Sequence, residues 1–185
     1  RTTLLACTHA DRLEIGLVLA VLSREEFTPV AEALGVDGTV APRLAAAERL
    51  CAARPELRVV IPAATPQRLD ELEALLTAYP ALAGRLTLLD GKARAPMVAA
   101  DAVLLASGTA ALEAMLCHRP MLVAYRMAPA THWLAKRLVK TEWISLPNLI
   151  ARESLVPELI QEAASPEAIA ARLGAMLGHP PGRAA

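Results

Sequence analysis

Short apolar segments alternate with amphipathic ones along most of the chain. The apolar segments are rich in Val, Ile and Leu and hold few polar positions, which predicts strands buried on both faces. The predicted strands lie at 57–61, 85–89, 102–106 and 120–125. Such strands belong in the middle of a layered domain rather than at its surface.

The segments between these strands repeat apolar residues every three or four positions, which predicts helices. Thr65 and Pro66 illustrate a helix start, because a hydroxyl caps free N–H groups and Pro suits the first helical position. The predicted helices lie at 42–54, 66–79, 95–100, 109–117, 131–140, 157–163 and 165–177. Strand and helix alternate about four times, which predicts an α/β fold with a parallel sheet flanked by helices.

The first 40 residues do not follow this alternation. Residues 11–34 fit one or two helices, and no strand–loop–helix unit is evident there. We therefore divide the chain into an atypical N-terminal segment (1–40), a domain (41–178) and a flexible tail (179–185). Residue 1 is Arg rather than Met, so we expect a fragment of a longer protein.

Composition and charge exclude several classes of protein. Of 185 residues, 55% are hydrophobic, which excludes intrinsic disorder. Nineteen basic and nineteen acidic residues cancel, and aromatic residues make up 3%. A balanced charge with few aromatic side chains argues against a nucleic-acid-binding protein.

Metal, disulfide and membrane-spanning classes also lack support. The three cysteines (Cys7, Cys51 and Cys117) form no CxxC pair, and the histidines lack zinc-ligand spacing. We expect no metal site, and reduced thiols in the cytoplasm. The apolar run at 15–22 is shorter than a membrane span needs and lacks a basic leader, so no signal peptide is predicted.

The strongest candidate site follows the strand at 102–106. Ser107 and Gly108 permit a sharp turn, and a helix then begins at Thr109. Free N–H groups at such a helix start suit a phosphate or diphosphate. Glu113 lies one turn into the helix, where its carboxylate could accept hydrogen bonds from ribose hydroxyls. The alternative is that Thr109 only caps the helix and Glu113 only offsets the helix dipole.

A second candidate is a basic stretch, because residues 114–141 contain no acid. It indicates a surface that contacts phosphates or an anionic membrane. The alternative is a solvated face with extended basic side chains. The residues assigned to this contact are Trp133, Lys136, Arg137 and Lys140.

Two further polar residues follow apolar segments. Arg126 comes directly after a predicted strand and could clamp a phosphate, or be an ordinary surface residue. Asn148 follows Pro147, where its amide could hold a base or sugar, or only shape a turn. Glu158 and Gln161 are predicted to be exposed polar positions. His118 and His132 have no nucleophile at motif spacing, so a hydrolytic triad is unsupported.

Seven short motifs occur in the order found in one enzyme family. They are LLDG at 88–91, MVAAD at 97–101, AVLLASGTAALE at 102–113, YR at 125–126, WLAK at 133–136, SLPN at 145–148 and PELIQ at 157–161. Together they resemble the lipid-A-disaccharide synthase family over roughly residues 41–177. The resemblance implies one Rossmann-like half of a GT-B glycosyltransferase, a peripheral enzyme on the cytoplasmic face of the inner membrane of Gram-negative bacteria.

The resemblance also implies a reaction. Family members transfer 2,3-diacylglucosamine from its UDP donor to 2,3-diacylglucosamine 1-phosphate, which gives lipid A disaccharide 1-phosphate and UDP. They use no cofactor and no bound metal. This chain would supply the half that binds the nucleotide sugar, with Ser107, Gly108 and Thr109 at the diphosphate and Glu113 at the ribose. Arg126 and Asn148 would line the same cleft.

Part of the family pattern is missing. The Gly-Ser-Arg loop expected before the helix at Pro42 is replaced by residues 33–39, ALGVDGT. The N-terminal half, where the family's catalytic residues are expected, is not matched, so the catalytic residues are unknown. Two alternatives stay open: a non-catalytic nucleotide-binding fragment, and another GT-B-like enzyme such as a UDP-sugar epimerase.

Overall fold

Six parallel strands form the centre of the protein. The computed structural model describes residues 17–20, 28–63, 65–91, 94–106, 109–126 and 143–178. Within them the strand order is β3-β2-β1-β4-β5-β6, and every neighbouring pair is parallel. The strands are β1 (Leu17–Ala20), β2 (Val59–Ala63), β3 (Leu86–Asp90), β4 (Ala102–Leu105), β5 (Met121–Tyr125) and β6 (Glu158–Ile160).

Helices flank these strands, and the last helix follows β6. They are α1 (Thr28–Ala53), α2 (Pro66–Leu76), α3 (Arg94–Ala99), α4 (Thr109–Leu116), α5 (Leu146–Ala151) and α6 (Pro166–Gly178), with 3₁₀ turns at Pro80–Leu82 and Gln161–Ala163. The predicted cap of α2 is confirmed, because the Thr65 side chain accepts a hydrogen bond from the Arg68 N–H at 3.3 Å. Ser165 does the same for the Ala168 N–H at 3.2 Å. These caps fix where both helices begin.

Two apolar layers enclose the sheet, one on each face. One joins α1, α2 and α6 to the sheet through Leu44, Leu72 and Leu173 packed with Ile61, Leu104 and Leu122. The other joins α3 and α4 through Met97, Ala111 and Ala114 packed with Val103, Leu105 and Val123. Neighbouring residues of β4 and β5 thus face opposite layers, which explains why both strands are apolar throughout. The predicted α/β class, a Rossmann-like parallel sheet flanked by helices, is confirmed.

The expectation of one or two helices at 11–34 is wrong for residues 17–20. Residues 17–20 form β1, which lies between β2 and β4 in the sheet. Helix α1 begins at Thr28 and continues through Pro42, where the sequence predicts a helix start. The predicted division at residue 41 therefore falls inside α1. Residues 179–185, the predicted tail, lie outside the described residues.

The segment after Pro157 also differs from its prediction. A helix was expected at 157–163, but β6 and a 3₁₀ turn occupy it. Backbone pairing with β5 accounts for the difference, because Glu158, Leu159 and Ile160 align with the last three residues of β5. An edge partner outweighs the local helical preference of so short a segment. The helix predicted at 131–140 lies outside the described residues.

We predict that Leu104→Ala destabilises the protein strongly. Leu104 is 0% exposed in a central strand, so the shorter side chain leaves a cavity and costs about 2–5 kcal/mol. Leu116→Ala is the matched control, because Leu116 is 74% exposed and its loss should cost less than about 0.5 kcal/mol. Urea unfolding of both variants measures the difference. Equal midpoints would contradict the packing described above.

Candidate functional site

The sheet has one switch point, between β1 and β4. From β1 the chain continues through α1 to β2 on one side, and from β4 it continues through α4 to β5 on the other. Helices α1 and α4 lie in the two different apolar layers. The connections therefore diverge at the carboxyl ends of these two strands, and the crevice between diverging connections is where such sheets bind ligands. The start of α4 at Thr109, which belongs to the strongest candidate site in the sequence, lies at this crevice.

Helix α4 presents polar residues beside the crevice. Ala110, Ala111 and Ala114 are buried against the sheet, and their small side chains allow the helix backbone to approach closely. Thr109 and Glu113 are exposed and lie four residues apart, one turn above the other on the same face. Packing of the alanines thus fixes which way Thr109 and Glu113 face.

The face of α4 that carries Thr109 and Glu113 suits a ligand that has an anionic group and neighbouring hydroxyl groups. The first turn of α4 offers N–H groups without helical partners and the positive end of the helix dipole. Among the described residues, no hydrogen bond or ion pair involves the Glu113 carboxylate. A carboxylate in this state is available to accept hydrogen bonds from a ligand. Ser107 and Gly108, predicted to bind the same anion, lie outside the described residues.

Arg126 lies at the same edge of the sheet. It directly follows β5, and its side chain is exposed. Because Leu105 of β4 aligns with Val123 of β5, the carboxyl ends of the two strands are neighbours. The structure therefore brings the start of α4 and Arg126 to one edge of the sheet.

Asn148 is placed differently from the expectation that it lines the cleft. It is 0% exposed, and both Nδ2 hydrogens are used, one donated to the Val156 carbonyl and one to Glu158 Oε1, each at 2.8 Å. Its Oδ1 accepts a hydrogen bond from the Val156 N–H at 2.8 Å. The amide thus ties α5 to the start of β6, and its donors are not available to a ligand.

Glu158 is the centre of this network, which the sequence did not reveal. Its carboxylate accepts hydrogen bonds from the Ile144 N–H (2.9 Å), the Ser145 N–H (2.9 Å), the Ser145 hydroxyl (2.6 Å) and Asn148. The expectation that Glu158 and Gln161 are merely exposed is wrong, since Glu158 is half-buried and Gln161 is buried with a left-handed φ of 55°. The network anchors α5, which packs against α4.

A buried cation is the second feature that the sequence did not reveal. Arg43 of α1 is 4% exposed, and its Nη2 donates to the Ala124 carbonyl in β5 at 2.9 Å. Burial lowers the pKa of Arg43 to about 10, partly offset by the neighbouring Tyr125. Burial also raises the pKa of Tyr125, against the opposing effect of Arg43. Arg43 is still charged at neutral pH.

The residues of the predicted membrane or phosphate contact all lie outside the described residues. They are Trp133, Lys136, Arg137 and Lys140. In the part of the chain that is described, no helix combines the length and apolar character of a membrane span. The same part contains no cluster of three or more His, Cys, Asp or Glu side chains arranged to hold a metal ion.

Comparison with known proteins identifies the family. The model of the lipid-A-disaccharide synthetase family matches residues 34–179. The chain belongs to this family. It is 70% identical over 124 residues to the lipid-A-disaccharide synthase of Chromohalobacter salexigens, covering 67% of the chain and 32% of that protein. The corresponding enzyme of Pseudomonas syringae pv. tomato is 56% identical over 131 residues, 69% of the chain and 33% of that protein. The chain thus spans about a third of the length of these family members.

Solved structures outside the family share the fold. A spinosyn rhamnosyltransferase complexed with thymidine diphosphate aligns with a TM-score of 0.58 at 20% identity, covering 96% of the chain and 41% of that protein. The ADP-heptose heptosyltransferase II of E. coli aligns with a TM-score of 0.55 at 13% identity, covering 91% of the chain and 48% of that protein. A putative UDP-N-acetylglucosamine 2-epimerase from Listeria monocytogenes aligns with a TM-score of 0.59 at 15% identity, covering 90% of the chain and 37% of that protein. The fold is therefore the Rossmann-like one of GT-B glycosyltransferases and related epimerases.

We predict that Glu158→Gln destabilises the protein by about 1–3 kcal/mol. A Gln amide nitrogen cannot accept the hydrogen bond that Glu158 Oε2 receives from the half-buried Ile144 N–H, so the amide keeps fewer than the four hydrogen bonds of the carboxylate. Glu153→Gln is the control, because Glu153 is exposed on the same connection. Denaturant unfolding compares the two variants. A Glu158→Gln midpoint as high as that of Glu153→Gln would show that the network contributes nothing.

Proposed function

We propose that this chain is the donor-binding part of a lipid A glycosyltransferase. Membership of the family supports this assignment. The observation that carries it is the placement of α4, which begins at the switch point with Thr109 and Glu113 exposed on one face. The ligand is a UDP-sugar whose diphosphate lies at the first turn of α4.

Each residue of the site then has a task. Ser107, Gly108 and Thr109 surround the diphosphate with N–H and hydroxyl donors, and Glu113 accepts hydrogen bonds from the ribose. Arg126 adds a positive charge at the same edge. Asn148 acts indirectly, because its amide holds α5 in place against α4.

The reaction of the whole enzyme follows from its substrates. A hydroxyl of 2,3-diacylglucosamine 1-phosphate attacks the anomeric carbon of UDP-2,3-diacylglucosamine, and the bond from that carbon to the diphosphate oxygen breaks. The hydroxyl proton passes to a base outside this chain, and UDP leaves with the bonding electron pair. Negative charge grows on the diphosphate during this step, so the α4 dipole and Arg126 stabilise the transition state more than the bound donor.

The acceptor is a lipid, which fits a peripheral enzyme on the cytoplasmic face of the inner membrane. We place the contact with anionic lipid on the basic stretch, because clustered basic side chains attract anionic headgroups. The residues proposed for this contact are Trp133, Lys136, Arg137 and Lys140.

Calorimetric titration with UDP tests the proposed donor site. We predict that the parent chain binds UDP and that Glu113→Gln binds it about tenfold more weakly, because a charge-assisted hydrogen bond to the ribose is worth roughly 1.5 kcal/mol or more. With 2′,3′-dideoxyuridine diphosphate the difference should vanish, since that ligand has no ribose hydroxyls.

Glu73→Gln is the matched control, because Glu73 is an exposed carboxylate on α2. It should leave UDP affinity unchanged. A parent chain that is folded but does not bind UDP would refute the donor-site assignment. If Glu113→Gln weakens the binding of both ligands equally, the donor site stands but Glu113 does not contact the ribose.

A further inference from the structure

Arg43 is unusual among the buried side chains. Where side-chain exposure is described, the buried polar residues are Arg43, Ser145, Asn148 and Gln161, and only Arg43 carries a charge. Burying a guanidinium costs several kcal/mol unless a partner compensates it. A buried charge therefore calls for an account of what balances it.

No carboxylate balances Arg43 among the described side chains. The two ion pairs there join Arg49 to Glu167 and Arg68 to Glu71. The partner of Arg43 is a neutral backbone carbonyl, that of Ala124. One hydrogen bond to a neutral group recovers little of the desolvation cost, so the positive charge stays uncompensated within the described part of the protein.

The hydrogen bond to Ala124 brings the guanidinium to the edge of the sheet at which the proposed diphosphate lies. Ala124 is the second-to-last residue of β5, so its carbonyl is at the carboxyl edge of the sheet. The adjacent strand β4 ends at the same edge and leads into α4. The charge of Arg43 lowers the pKa of Tyr125, the last residue of β5, against the larger effect of burial, which fits a guanidinium close to this edge. Buried charges act there with little screening by salt.

We propose that Arg43 provides a buried positive charge that strengthens binding of the diphosphate at the start of α4. This inference rests on the proposed donor site. It adds to that site a residue of α1 that lies outside the sequence motifs at 88–161. Arg43 is a positioning and electrostatic residue rather than a catalytic one, because its guanidinium is held against β5. The anion supplies the negative charge that no described carboxylate provides beside Arg43.

The alternative is that Arg43 only ties α1 to β5. A neutral side chain serves that purpose at lower cost, and replacing a buried charged group by an apolar one of similar size is often neutral or stabilising. A purely structural role and an electrostatic role thus differ in what removal of the charge does to ligand affinity.

The test compares two ligands, UDP and uridine, on four variants. Arg43→Gln removes the charge and keeps a donor for the Ala124 carbonyl, Arg43→Met removes both, and Arg43→Lys keeps the charge. Arg49→Met removes one charge from the exposed side of the same helix. Calorimetry measures UDP, and NMR titration at millimolar concentration measures uridine.

We expect Arg43→Gln and Arg43→Met to bind UDP at least about tenfold more weakly than the parent, with uridine changed by less than about twofold. Arg43→Lys should restore most of the UDP affinity, and Arg49→Met should not change it. If Arg43→Met does not fold, the UDP and uridine affinities of Arg43→Gln and Arg43→Lys test the inference without it. UDP affinity that survives loss of the charge, or equal losses for UDP and uridine, would overturn the inference. Failure of the parent to bind UDP would count against the donor site itself.

Discussion

The position of β1 between β2 and β4 determines where this protein can bind a ligand. Parallel strands need crossover helices, and right-handed crossovers that leave β1 and β4 in opposite directions place α1 and α4 on opposite faces. The carboxyl ends of these two strands are consequently not covered by a connection between them. The start of α4 faces this crevice, and the alanines that pack α4 on the sheet turn Thr109 and Glu113 outward. The site is thus a consequence of strand order and of small residues in one helix.

Two buried polar arrangements support this edge in different ways. Around Glu158, four donors meet one carboxylate, so the connection from Trp143 to β6 is held by satisfied hydrogen bonds. Such a network fixes a single backbone path. Arg43 instead carries a charge whose described partner is one carbonyl. This buried charge at the carboxyl edge is the basis for the proposed effect of Arg43 on the diphosphate.

Much of the fold could be predicted because the sheet is buried on both faces. Strands such as β4 and β5 are continuous apolar runs, and the Thr65–Pro66 start of α2 is a local signal. Strand β1 is equally apolar, and Thr28 and Pro29 at the start of α1 repeat the Thr-Pro signal of α2. These two signals were not joined into a strand–helix unit, so the pairing of β1 was missed. Strand β6 is three residues long, and its conformation depends on β5 more than on its own composition. The edge proposed for the ligand is the one that the sequence indicates, because an apolar strand, a Gly and a helix start follow one another directly. The roles of Asn148, Glu158 and Arg43 depend on contacts with residues 8 to 81 positions away, which leave no periodic pattern.

Amide chemical-shift mapping with UDP tests the central claim most directly. The isotope-labelled chain is titrated with UDP, and shifts are compared between the two edges of the sheet. The account predicts that the largest changes fall on Thr109–Ala111 and on Tyr125–Arg126, at the carboxyl edge. Arg85 and Arg119, which precede β3 and β5 at the opposite edge, should not change. Changes concentrated at that opposite edge, or an absence of changes in a folded chain, would contradict a nucleotide site at the crevice between β1 and β4.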